Sequence, residues 1–404
     1  MTQHAASPPT GAPSPEHERG EPTPGAPGVG RLVGLDLARG LAVFGMYAVH
    51  VGPAPGQDGV IGFLMEPAQG RSSALFAVLA GFAVALITGR RTPKTGLAGR
   101  QAVAKVIIRA VILIALGTAL TMTGTPVVPI LAFYGLFFLL VLPLYRLGAK
   151  PLALIAVGWA LVGPQLLYAL KPVVGGRVFL SYGQADGPVS LFFTGGYPAL
   201  TWVPFLLAGM AVARLDLAAT AVRIRLALTG VALAVTGYGG SWLAVRLVPG
   251  AAEAVRKAEQ GSDMSSMSSV SSVSPDSIGI FGDSPAGMLA SAPHSEATLS
   301  IVAATGVAIL VITACLAATD AFPRLRRLAG PVIAVGSMSL TAYVYHIVAI
   351  WLLNTEEATV PPLYVLLGFI ASVTVLAAVW SRFFQRGPLE WLMGRATGVA
   401  RRIR

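Results

Sequence analysis

Ten stretches of mostly apolar residues follow one another along this chain, and they restrict its fold more than any single motif. They run approximately over 32–52, 72–89, 104–123, 126–145, 151–170, 197–213, 226–248, 298–319, 331–353 and 362–380. A helix needs roughly 20 residues to cross about 30 Å of hydrocarbon, and inside lipid its backbone groups must be satisfied within the segment. The expected fold is therefore all-α, a polytopic integral membrane helix bundle of about ten transmembrane helices. A composition of 54% hydrophobic and only 12% charged residues excludes the two or three soluble domains that 404 residues could otherwise form.

The formal net charge of +11 would fit a nucleic-acid partner if the basic residues formed one patch. They do not. Arg90, Arg91, Lys94, Arg100 and Lys105 crowd one connection, Arg146 and Lys150 a later one, then Arg214, Arg223 and Arg225, then Arg324, Arg326 and Arg327. Every second connection is basic, which is the pattern of cytoplasmic loops, so both termini are expected in the cytoplasm of a multi-pass cell-membrane protein. No nucleic acid is implied; the lipid bilayer is the first partner.

Residues 1–30 hold seven Pro and five Gly without an apolar run and read as a disordered cytoplasmic tail rather than a signal peptide. Residues 31–380 form the membrane domain, and the segment from Ser381 to Arg404 a basic cytoplasmic tail. Within the domain, 249–297 contains a Ser-rich low-complexity run and reads as a flexible outer loop, of which 261–290 is expected to be dispensable. The single cysteine, Cys315, excludes an intrachain disulfide and reads as a small core residue. No metal site is expected.

Two histidines lie within apolar runs. His50 ends the first and His346 sits inside the ninth, each nineteen residues after an Arg-Leu-x-Gly, at Arg31 and Arg327. An ionisable group inside a span is costly and by default marks function. On the first span Asp36 and Arg39 are three apart and can pair. His50 follows Arg39 by eleven residues, close to three turns and about 16 Å of rise, so both face one direction, toward the bundle interior. His50 and His346 are expected at similar depth in the outer half of the membrane as the catalytic pair. Arg39, Asp36, Arg71 at the outer start of the second span, and Tyr345 beside His346 are the candidates for donor or substrate binding. Arg109 reads as snorkelling to the cytoplasmic surface, and Tyr197 and Trp202 as an interfacial belt.

The run Arg31-Leu-Val-Gly-Leu-Asp36-Leu-Ala-Arg39-Gly-Leu-Ala resembles the opening helix of the heparan-α-glucosaminide N-acetyltransferase-like proteins and their bacterial relatives. Gly70-Arg71-Ser-Ser-Ala-Leu-Phe76, Tyr197-Pro-Ala-Leu-Thr-Trp202 through Gly209, Gly336-Ser-Met-Ser-Leu-Thr-Ala-Tyr343 and Arg386-Gly-Pro-Leu-Glu-Trp391 extend the resemblance along the domain. The Arg-x10-His spacing from Arg39 to His50 also resembles the first-helix motif of bacterial membrane O-acyltransferases. These resemblances imply transfer of an acyl group from cytoplasmic acyl-CoA, acetyl-CoA in the simplest case, to a hydroxyl or amine of an extracytoplasmic glycan or lipid-linked acceptor. The glucosaminide enzyme carries its catalytic histidine in the loop after the first helix, where residues 51–70 hold none. The active-site correspondence is therefore to the O-acyltransferase motif.

Thioester transfer needs a base for the acceptor proton, and histidine suits that role near neutral pH. His50 fits the base and Arg39 the anionic donor. A second class, a proton-coupled transporter or exporter using His50 and His346 as a relay, stays open at this stage.

Overall fold

The computed structural model describes residues 32–53, 59–125, 127–174, 192–193, 196–262, 284–353 and 362–403. The tail at 1–30 and the Ser-rich centre of the loop at 263–283 lie outside these residues. Among the described residues there is helix and no strand.

Each of the ten apolar segments is helical. The first is α1, Val33–Val51. A short helix, α2 (Val60–Met65), lies within the stretch read as a loop and leads through a 3-10 turn into α3, Arg71–Thr88. Then come α4 (Gly96–Thr121), α5 (Leu131–Val141), α6 (Ala149–Val174) and α7 (Ala199–Ala213). Helices α8 (Thr220–Ala234) and α9 (Gly240–Leu247) continue one another through a π-helical turn at Val235–Gly239. The C-terminal half holds α10 (Ala251–Ser262), α11 (Thr298–Ala321), α12 (Pro323–Leu328), α13 (Gly330–Ser337), α14 (Ser339–Leu353), α15 (Leu363–Phe383) and α16 (Pro388–Gly398).

By length and composition, six stretches among the described residues can cross a membrane: Val60–Thr88, Gly96–Thr121, Ala149–Leu170, Thr220–Leu247, Thr298–Ala321 and Leu363–Phe383. The pair α13 and α14, bent by 86°, makes a seventh if it is one broken span. The expected number was ten, and the difference has physical causes. Helix α1 carries Asp36, Arg39 and His50, which dilute its hydropathy. Helices α5 and α7 are short and almost wholly buried, so protein rather than lipid surrounds them. The chain is a polytopic helical membrane protein with an inner set of helices.

Close approach of backbones organises that inner set. Gly81 of α3 faces the Leu206 carbonyl of α7, while Gly209 of α7 faces the Val78 carbonyl of α3, so a side chain on either would strike backbone. Gly336 of α13 lies in the same way against the Asp36 carbonyl of α1. Small residues of this kind let helices associate where burial from water contributes little.

The basic segments gather at one end. Arg91 pairs with Asp216 at 3.1 Å, and Arg214 donates to the carbonyls of Arg90, Tyr145 and Leu147. Arg223 meets Asp320 at 2.5 Å, and Gln101 donates to the Ile403 carbonyl at 3.1 Å. Helix α1 starts near this basic end and carries His50 toward the opposite one.

The segment 249–297 is not a flexible loop throughout. Its first part is α10, with Ala251 and Val255 buried. Its last part, 284–297, packs on the bundle: Ala290, Ser295, Glu296 and Ala297 are buried, and the Ser241 hydroxyl donates to the Leu289 carbonyl at 2.6 Å. Low complexity marks only the centre, whereas 284–290, the end of the stretch expected to be dispensable, packs on the bundle.

Candidate active site

Helix α14 exists as a separate element because α13 ends at Met338, whose φ of −123° and ψ of 40° are not helical. The break frees N–H groups at the start of α14, and an acid from another helix receives them. Glu390 Oε1 accepts from the Leu340 and Thr341 N–H groups at 2.7 and 3.2 Å, and Oε2 from the Thr341 hydroxyl at 2.6 Å. A carboxylate at a helix N-terminus satisfies orphan donors and complements the dipole. The bend directs α14 across the bundle, bringing His346 to α1.

There His50 and His346 meet. His50 Nδ1 and His346 Nε2 are 3.0 Å apart, and the rings are parallel within 2°. His346 is fully buried and His50 partly so. Tyr47 and Tyr343 pack on His346 with ring centroids at 4.8 and 5.0 Å. Both tyrosines are pinned: the Tyr47 hydroxyl donates to the Ala342 carbonyl at 2.7 Å, and the Tyr343 hydroxyl accepts from the Ile130 N–H at 3.0 Å. His346 Nδ1 is buried without a hydrogen-bond partner.

A cavity of about 280 Å³ reaches Tyr343, which packs on His346. Tyr343 and Tyr134 form its wall on the histidine side together with Phe76, and the break at Ser337 and Ser339 opens onto it. Arg39, Arg109 and Glu390 also line it. Arg39 is braced by Asp36 at 3.1 Å, with the Asp36 side chain only 8% exposed. Arg109 therefore faces the interior rather than snorkelling along the lipid surface, and its charge and that of Arg39 act on one another. The cavity joins two cations at one end to an aromatic wall at the other.

The remaining candidates fall elsewhere. The Tyr345 hydroxyl donates to Ser372 Oγ on α15 at 2.9 Å, because neighbouring residues on a helix point about 100° apart; it does not join the pair. Arg71 donates from Nε to the Tyr238 hydroxyl at 2.7 Å and from Nη1 to the Glu66 carbonyl at 2.9 Å, at the His50 end of the bundle. Tyr197 and Trp202, read as a belt, are both buried; Trp202 stacks on His294 and Tyr197 meets it edge-on.

His294 and Glu296 were not visible as site residues from the sequence, since they lie in the segment read as a tolerated loop. Burial holds the His294 ring down to about 4 and pushes the Glu296 carboxyl up to about 7, the latter opposed by hydrogen bonds from Thr201 and Trp202. The signal available was a titratable pair placed directly ahead of an apolar run. Among the described residues no cluster of His, Cys, Asp or Glu could hold a metal ion.

Among the described residues, an all-helical membrane bundle with two joined histidines near a cavity lined by Arg39, Arg109 and Glu390 defines the class of polytopic membrane proteins with a buried polar centre. Comparison with known families narrows it. Residues 31–244, more than half of the chain, match the family model described as "Heparan-alpha-glucosaminide N-acetyltransferase, catalytic", and the chain belongs to that family. Residues 286–400 match a second model, described as "Protein of unknown function (DUF418)". No curated protein matches the chain. The chain thus carries a membrane acetyltransferase-type domain.

Proposed function

We propose that this protein is a membrane acyltransferase that takes an acyl group, acetyl in the simplest case, from cytoplasmic acyl-CoA and delivers it to a hydroxyl or amine of an extracytoplasmic glycan or lipid-linked acceptor. The observation that carries this reading is the His50–His346 hydrogen bond beside a cavity ending in Arg39 and Arg109, in a chain of this family. The gathering of basic segments at the Arg39 end supports placing that end, with both termini, on the cytoplasmic side.

The cavity suits the donor's thin end. At about 280 Å³ it lies just below the usual range of roughly 300–1,000 Å³ for whole-ligand pockets, enough for the thioester and part of its arm. The nucleotide phosphates then stay at the mouth, where Arg39 and Arg109 offer guanidinium groups. Asp36 orients Arg39 through the 3.1 Å pair.

In this scheme His346 carries its proton on Nδ1, which leaves Nε2 as the acceptor toward His50. His50 then donates from Nδ1 and keeps the Nε2 lone pair as the base. As the acceptor attacks the thioester carbon, its proton passes to His50 Nε2. The carbon–sulfur bond breaks with its electron pair on sulfur, His50 Nδ1–H moves to His346 Nε2, and His346 Nδ1–H neutralises the thiolate. Every proton is accounted for within the pair.

The experiment is acetyl transfer from acetyl-CoA by the purified full chain in lipid nanodiscs, beside proton-coupled solute uptake in vesicles. Transfer abolished by His50→Ala supports the reading. Uptake without transfer overturns it in favour of a transporter that uses the same pair.

A further inference from the structure

A second pocket lies at the His50 end, apart from the donor cavity. Its walls come from the start of α3, from α7, from Tyr238 in the π-turn, and from the strap at 291–296 that leads into α11. It measures about 30 Å³, room for roughly two or three water-sized groups.

The strap is built with care. Gly70 has φ of 61°, and a Cβ there would stand 2.6 Å from Pro293 Cβ, so only glycine lets the strap sit down on α3. Ser300 donates to the Ala292 carbonyl at 2.8 Å, and Trp202 Nε1 to Glu296 Oε1 at 3.0 Å. His294 and Glu296 both hold left-handed backbone, at φ of 56° and 55°. For residues other than glycine this conformation is unfavourable, and such strain gathers at sites that use it. Both residues line the pocket, and His294 Nδ1 is buried without a partner. A π-turn in the facing wall is a further feature frequent at functional sites.

We propose that this pocket seats an uncharged, hydroxyl-bearing end of the acyl acceptor, such as a sugar hydroxymethyl group, with His294, Glu296 and Arg71 as its polar contacts. This rests on the acyltransferase reading for the word acceptor. The charge pattern selects the class. An anion would gain from Arg71 but face Glu296, and a cation would meet the reverse. Hydroxyls accept from Arg71 and donate to His294 or Glu296, while Phe205 and Ile301 cover the attached carbon. Tight contacts between Gly45 and Ser72, and between Gly70 and Pro293, tie α1, α3 and the strap together at the end where His50 lies.

The test is binding to the purified full chain in detergent micelles, without donor. Methyl glucoside and glucosamine are followed by saturation-transfer NMR, and inorganic phosphate by phosphorus line broadening. Methyl glucoside should bind, and His294→Ala and Glu296→Ala should each weaken it by on the order of tenfold, the worth of a hydrogen bond to a buried group. Glu296→Gln should bind it nearly as well as wild type, because hydroxyl recognition needs no charge, and also shows that the fold survives. Preferred binding of phosphate or of glucosamine overturns the proposal, as does methyl glucoside binding unchanged in both alanine variants. Absence of acetyl transfer in the wild type would instead defeat the acyltransferase reading, leaving the pocket result to stand alone.

Discussion

His50 and His346 stand 296 positions apart in the chain and 3.0 Å apart in the fold, with parallel rings. A bond of that length between two imidazoles requires that one ring donate and the other accept, so each fixes the tautomer of the other. Helix α1 supplies one ring by running straight through the bundle. The other arrives only because α14 departs from α13 by 86°.

His50→Ala should leave the protein folded and able to bind acetyl-CoA while transfer falls by about 10²–10⁴-fold, the usual worth of a positioned acid–base group. His346→Ala should cost a similar factor, and the double variant little more than either single one, since residues acting as a unit are not additive. Single-turnover transfer by the three variants checks this, and losses that multiply would separate the two roles.

Arg39→Ala should raise KM for acetyl-CoA and also lower stability. The substitution removes the 3.1 Å pair from a carboxylate only 8% exposed, at a cost on the order of 1–3 kcal/mol. Asp36→Asn combined with Arg39→Gln should recover most of the stability but none of the donor affinity. Thermal melting and donor titration of both proteins distinguish the two effects; equal melting temperatures for Arg39→Ala and wild type would contradict the bracing role.

The bundle and the interior direction of Arg39 and His50 were legible in sequence because both follow from local arithmetic, apolar run length and helical spacing. What escaped was set by long-range geometry. Arg109, one-third into its apolar run, looks like a snorkelling cation until α14 and α16 enclose a cavity beside it. Glu390 sits in a motif with no visible task until the break at Met338 exposes the amides it caps. His294 and Glu296 were hidden by their neighbourhood, because a Ser-rich run read as dispensable conceals an ordered strap that begins immediately after it. Tyr345 misled for the opposite reason: nearness to His346 in sequence does not survive the turn of a helix.

Stability should depend on pH through His294 and Glu296 with opposite signs. Glu296 is raised from 4.5 to about 7, so its contribution is full below pH 4.5 and is lost as pH rises toward 7. His294 is lowered from 6.5 to about 4, so its contribution is full above pH 6.5 and is lost as pH falls toward 4. Between 4.5 and 6.5 the slopes, each about 1.4 kcal/mol per pH unit, cancel and the wild type should be nearly flat. Glu296→Gln should then lose stability toward acid, and His294→Gln toward neutrality. Melting temperatures across this range test both; parallel profiles for the two variants would show that neither group is coupled to folding.

The direction of proton travel makes the sharpest prediction. If His50 takes the acceptor's proton and His346 returns one to sulfur, the two histidines serve opposite ends of one displacement. A thioester whose thiol is much more acidic than that of CoA, such as an S-aryl thioacetate small enough for the cavity, needs no proton on its leaving group. With that donor His346→Ala should recover to within roughly tenfold of wild type, because the general-acid contribution of about 10²–10⁴ is no longer required. His50→Ala should stay impaired with the same donor, since the acceptor still has a proton to lose. Replacing the acceptor by hydroxylamine, a strong nucleophile with little need of a base, should invert the pattern and rescue His50→Ala first. If both variants respond alike to both changes, the pair acts as a single base and His346 serves only to orient His50.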